Sequence, residues 1–177
     1  MSVQLFSIPK QCKYTLGGVK RVFIAKYVKY NRSGISVSDM LLNSIPDTTF
    51  YEIDEKGNYS QTQSDQNGAI YFTQNVSVQV KKAYDRFNIS NLLKAEYRVI
   101  VLTENNQYLI FGLYNGLKIK LGNNSGANKT DFNGFDIAFD GLEESFAYLI
   151  TDLEAAGITI VGTEGDFNND FNNDFFI

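Results

Sequence analysis

Residues 96–113 read EYRVIVLTENNQYLIFGL. The segments EYRVIVLT and YLIFGL are rich in β-branched and aromatic residues and too short for stable helices, and the polar ENNQ between them suits a tight connection. This spacing predicts a β-hairpin at the centre of the core. Downstream, GLKIKL at 116–121 sets Leu117, Ile119 and Leu121 against Lys118 and Lys120. FNGFDIAF at 132–139 likewise sets Phe135, Ile137 and Phe139 against Asp136 and Ala138. Strict alternation of this kind marks strands with one buried face.

Upstream, AIYFTQNVSVQV at 69–80 ends with Val76, Val78 and Val80 on one face, a further half-buried strand. VKRVFIAKYVKY at 19–30 follows the turn signal Gly17-Gly18 and reads as a strand. Residues 48–53 and 59–63 flank EKGN at 55–58, which predicts a second hairpin. Residues 158–161 are a short β-branched run. Residues 39–45 fit either one helical turn or a short strand, and 142–150 either a helix or a strand. YDRFNISNLLKA at 84–95 spaces Tyr84, Phe87, Leu92 and Ala95 as a short amphipathic helix. GNNSGANKT at 122–130 reads as an exposed loop. About ten short strands and one helix imply a mainly β domain, a β-sandwich or barrel with one flanking α-helix, over residues 1–162, followed by an acidic tail at 163–177.

Composition narrows the chemistry. With 177 residues, 44% of them apolar, the chain is one domain's worth of sequence, and a domain of this size buries about 70% of its unfolded surface. It has no histidine, which excludes Ser-His-Asp and Cys-His nucleophile pairs, HExxH zinc sites and imidazole proton relays. The single cysteine, Cys12, has no partner for an intramolecular disulfide. No run approaches the roughly 18 apolar residues of a membrane-spanning helix, and the N-terminus lacks a signal-peptide pattern, so a soluble, non-secreted protein is expected.

The net charge of −4 is unevenly distributed. Residues 1–129 hold all sixteen basic residues and nine acids, a net of +7, whereas residues 130–177 hold eleven acids and no base, a net of −11. Either the acidic part folds back on the basic part within one domain, or the two surfaces face apart and favour contact between copies.

Catalytic constellations are weak. GNNSGANKT lacks the spacing of a phosphate-binding loop. Asp136 with Asp140, or Glu143 with Glu144, are carboxylate neighbours better read as solvated charge than as an acid/base pair. The terminal DFNNDFNNDFFI repeats Asp-Phe-Asn-Asn, without the ligand spacing of a calcium loop. As a helix it would align Phe167, Phe171 and Phe175 in a stripe ending in Phe176 and Ile177, a partner-docking tail. No enzyme activity, cofactor or metal is expected.

The ordered series Cys12, LGGVKRVFIAKY, NVSVQVKK, YDRFNISNLLKAEYRVIVLTENNQYLIFGLYNGLKIKLGN and NGFDIAFDGLEE resembles the tail tube-like and ring proteins of tailed phages infecting Bacteroidetes, including the crAss-like group. It covers roughly residues 10–150. The resemblance implies a phage tail tube-like β domain with one flanking helix and no catalytic residues. It also implies a virion protein of the tail, assembled in the host cytoplasm as a six- or twelvefold homo-oligomeric ring, touching other tail or portal-proximal proteins and no membrane. DNA would pass through the ring during ejection without specific binding. Candidate wall strands are 69–80 and 132–139, and candidate inter-ring loops are 31–39 and 122–130.

Such a channel should not grip phosphates, because each neutralised phosphate releases counterions and adds affinity. Asp131, Asp136 and Asp140 are therefore candidate channel-lining acids. Lys118, Lys120, Val76, Val78 and Val80 are candidate subunit-interface residues. A monomeric carbohydrate- or protein-binding β-sandwich module, using the eleven tyrosines as a contact surface, is the alternative.

Overall fold

The apolar runs near residues 20 and 100 are nearly continuous because both faces of each strand are covered. In the computed structural model, which describes residues 17–53, 57–81, 92–125, 127 and 132–162, β1 (Val19–Lys26) and β7 (Glu96–Thr103) form a central antiparallel pair. Its register sets Val22 opposite Val101, Phe23 opposite Ile100 and Ile24 opposite Val99. A bulge between Val19 and Arg21 restores phase, so that Val19 and Val22 enter the same core although three positions apart.

Between these strands run β2 (Ser36–Ser38), β3 (Leu41–Ser44), β4 (Thr48–Glu52), β5 (Gly57–Gln66) and β6 (Ala69–Lys81). After β7 come β8 (Tyr108–Phe111), β9 (Leu117–Asn124), β10 (Gly134–Glu143), β11 (Tyr148–Ile150) and β12 (Ile158–Val161). The hairpin expected at 96–113 is present as β7 and β8. Hydrogen-bonded neighbours run β1–β5–β6–β10–β9–β7 and back to β1, which closes a six-stranded barrel. Val76, Val78, Val80, Val99, Val101, Leu117, Phe135, Ile137 and Phe139 fill it. A second core lies on the opposite face of β1 and β7, where Phe23, Ala25, Ile100 and Leu102 meet Leu42, Phe50, Ile110, Ile150 and Ile158. That layer is built from β4 and β12, paired in parallel, and from β8, β11, β3 and β2. The architecture is mainly β, a barrel sharing two strands with a sandwich-like second layer.

Several expectations change. The hairpin across residues 55–58 does not form. β4 and β5 each pair with β1 instead, because Phe50 belongs to the second core and Tyr59 stacks toward Phe111 at the barrel. The strand expected over 19–30 stops at Lys26, after which Tyr27 donates its N–H to Glu96 O at 2.7 Å. The loop expected at 31–39 is a 3-10 turn, Arg32–Gly34, followed by edge strand β2. Residues 122–124 extend β9, where Gly122 and Asn123 pair with Asp136 and Phe135, so the 122–130 loop is shorter than expected. Residues 41–44 and 148–150 resolve as strands. Most of the helix expected at 84–95 lies outside the described residues. Its end, Leu92 and Ala95, packs on the barrel core.

Candidate interaction surfaces and a buried arginine

On the outer face of the barrel, alternation in three neighbouring strands produces three columns. β10 presents Asp136, Ala138 and Asp140; β9 presents Lys118 opposite Asp140 and Lys120 opposite Ala138; β6 presents Asn75, Ser77 and Gln79. Gln79 Nε2 donates to Asp136 Oδ1 at 2.8 Å, and Lys120 Nζ lies 3.2 Å from Asp140. In the middle, Gly57, Ser77 and Ala138 carry little side chain, leaving a shallow trough of about 490 Å³ whose one charged lining residue among the described ones is Asp136.

This arrangement corrects two expectations. Val76, Val78 and Val80 are 0%, 1% and 9% exposed within the monomer, so they offer no subunit interface. Asp136 and Asp140 share their face with Lys118 and Lys120, and the assignment of acids to a lining and lysines to neighbours fails because cross-strand register fixes them side by side. Asp131 and the tail residues Phe167, Phe171, Phe175, Phe176 and Ile177 lie outside the described residues, as does Cys12. Arg32 also pairs with Glu144, so among the described residues these two ion pairs tie the basic first part of the chain to its acidic last part.

A second surface is the β5–β6 hairpin. β10 accompanies β6 only as far as Phe72, opposite Glu143. Beyond it the ladder continues as two strands, Ser64 opposite Tyr71 and Asp65 opposite Ile70, to a turn at Asn67 and Gly68 with φ of +56° and +78°. Ile70 is 58% exposed near the tip. The opposite edge of β5 is paired at Gly57 with Val19 of β1, while among the described residues its remaining length pairs with β6 alone. Gln61 Oε1 accepts the N–H of Ala147 and Phe72 meets Phe146 edge-on, which anchors the hairpin's base.

The third feature is internal. Arg98 is completely buried at the junction of barrel and second layer. Its Nε donates to Leu113 O at 3.1 Å, and its guanidinium carbon lies 3.9 Å from the ring centroid of Tyr30 and 4.5 Å from that of Tyr27. Each desolvated cation–π contact contributes about 2 kcal/mol. The rings are pinned in turn: Tyr27 donates its hydroxyl to Tyr114 O, and the Tyr30 hydroxyl bonds Thr48 Oγ1. Burial lowers the pKa of Arg98 from its ordinary value. Among the described residues, neither terminal nitrogen, Nη1 or Nη2, has a hydrogen-bond partner.

Nearby, Glu143 is 3% exposed and accepts the N–H groups of Tyr114 and Asn115, the latter at 2.8 Å. Burial pushes its carboxyl up and these backbone donors pull it back. Gln74 joins the network by accepting from Gly112 N–H at 2.9 Å and donating to Ser145 O at 3.0 Å. Sequence reading did not single out Arg98 or Gln74. The available signal was a lone arginine inside EYRVIVLT, where a strand apolar on both faces leaves a cation nowhere exposed to go.

Among the described residues, no group of three or more Cys, Asp or Glu side chains is placed to hold a metal. No helix there is long and apolar enough to cross a membrane. No protein-family model, curated protein or solved structure matches the chain.

Proposed function

We propose that this chain is a structural subunit of a phage tail, a tail tube or tail ring protein that assembles into a homo-oligomeric ring around the path of the ejected genome. The observation that carries the reading is the β5–β6 hairpin. It extends past the barrel as a two-stranded arm, and among the described residues most of the outer edge of β5 has no strand beside it. Such an edge pairs readily with a strand of another chain. The ends of the sheet, β2 and β12, supply two further edges on different strands, as head-to-tail contact around a ring requires. The resemblance of residues 10–150 to tail tube-like and ring proteins supports the same reading.

The wall of the channel is reconsidered. On the β9–β10 face two lysines offset two aspartates, so its field is nearly neutral beyond a Debye length of about 8 Å. A neutral polar wall also avoids phosphate contacts, without repulsion.

Light scattering and negative-stain imaging of the purified chain at physiological salt test the proposal. Rings or tubes with a central hole are the expected result. Replacing residues 64–71 with a two-residue turn should abolish assembly while the far-ultraviolet strand spectrum persists. A species of 20.0 kDa at every concentration, unaltered by that replacement, would favour the monomeric binding module.

A further inference from the structure

Past its single pairing with β1, at Gly57, the outer edge of β5 continues from Asn58 to Gln66 with no strand beside it among the described residues. We propose that this edge pairs with the same edge of a second copy of the chain, antiparallel and centred on Thr62. The inference takes from the proposed function only that the edge receives a strand of another copy, and it names that strand.

The edge carries no protection against pairing. Proteins blunt an edge that must stay single with lysine, proline, a bulge or short length. Residues 58–66 contain no Lys, Arg or Pro, and the ladder of β5 with β6 runs from Gly57 to Gln66 without a register shift.

Length selects the partner. β5 has ten residues, whereas the strands at the two ends of the sheet, β12 and β2, have four and three. Among the described edges, only a second β5 meets the backbone N–H and C=O groups along the whole stretch. Two copies related by a two-fold axis through the sheet place identical strands antiparallel, as an isologous contact requires. β2 and β12 then stay available for contacts around a ring.

Charge and shape set the register. Asp65 is the one charged residue in 58–66. With Thr62 on the axis, Asp65 of each copy lies opposite Tyr59 of the other, Ser64 opposite Ser60 and Gln63 opposite Gln61, so no like charges meet. The same register carries each Asn67-Gly68 turn to the base of the other arm. A recess of about 310 Å³ lies there, bordered in part by Gly17, Gly18, Asn58, Tyr59, Asn105 and Gln107, none of them charged. It gives the incoming turn room where the β7–β8 connection would otherwise block the ladder.

Disulfide trapping tests the pairing in the full chain carrying Cys12→Ser, which removes its one native thiol. None of the side chains of Ser60, Thr62 and Ser64 is buried, so cysteine is tolerated at each. Thr62→Cys alone should give a covalent dimer on a non-reducing gel, because its Cα lies about 4.5–5.5 Å from its copy. Ser60→Cys and Ser64→Cys should cross-link at least tenfold faster mixed than either does alone. In this register 60 meets 64, while 60 lies about 14 Å from its own copy, beyond the reach of a disulfide, about 7 Å. Thr62→Lys sets like charges across the axis and should weaken the dimer about two- to fivefold by light scattering. No covalent dimer from Thr62→Cys, equal rates for the single variants and the mixture, or faster cross-linking of Ser60→Cys or Ser64→Cys alone would overturn the proposal. Rings in negative stain without these cross-links would leave the tail reading standing and remove this inference. The cross-links without rings would do the reverse.

Discussion

Val22 and Phe23 are neighbours in β1, yet Val22 belongs to the core inside the barrel and Phe23 to the core outside it. One strand pair therefore carries both cores, and neither layer can loosen independently. Phe139→Ala in the first core and Phe23→Ala in the second should each cost about 3–5 kcal/mol. Each should shift a single cooperative transition in urea, read by circular dichroism because the chain has no tryptophan. Two separated transitions in either variant would show that the layers unfold as independent units.

Two glycines with positive φ should respond differently to alanine. At Gly68, φ +78°, an added Cβ would touch nothing within 4 Å, so Gly68→Ala should cost only the left-handed strain of about 1–2 kcal/mol. At Gly112, φ +68°, the Cβ would come within 2.8 Å of Leu117 Cγ and 2.9 Å of Tyr97 O. Gly112→Ala should cost clearly more, measured by the same denaturation.

Glu143 makes stability depend on pH. Burial raises its carboxyl above the ordinary value of 4.5, so the folded chain holds that proton more tightly than the unfolded chain. Its contribution is complete below that ordinary value and is lost as pH rises through the raised one. The melting temperature of the protein relative to Glu143→Gln should therefore fall as pH climbs from about 4 to about 7. A difference that stays constant or grows in that window would contradict the assignment.

The ion pairs should rank by exposure. Lys120, with its side chain 74% exposed, is screened in its pair with Asp140, and Lys120→Ala should change stability by less than about 1 kcal/mol. The Glu52 side chain is 1% exposed where it meets Arg21, so Glu52→Gln should cost more and depend less on added salt. Paired salt titrations of the melting temperature check both.

Local pattern made the one-sided strands legible: the alternation in GLKIKL and FNGFDIAF corresponds to the buried and exposed faces of β9 and β10. Partner choice was less accessible. EKGN looks like a hairpin turn, but the destinations of β4 and β5 are set by which core Phe50 and Tyr59 join, a long-range matter. Asn67-Gly68, a stronger hairpin signal, is where the turn between β5 and β6 lies. The surface assignments failed for a related reason. Valines that mark a half-buried face do not say whether its cover is this chain or another, and only register reveals that Lys120 sits next to Asp140.

The central position of β1 also bears on synthesis. Its principal partner, β7, ends at Thr103, so the Val22–Ala25 segment leaves the ribosome long before the strand that covers it. At about 5–20 residues per second, the intervening stretch takes roughly 4 to 15 s to make. Throughout that interval the backbone N–H and C=O groups along one edge of a nascent VFIA segment lack the ladder that β7 supplies. Only the arrival of EYRVIVLT gives it a permanent place.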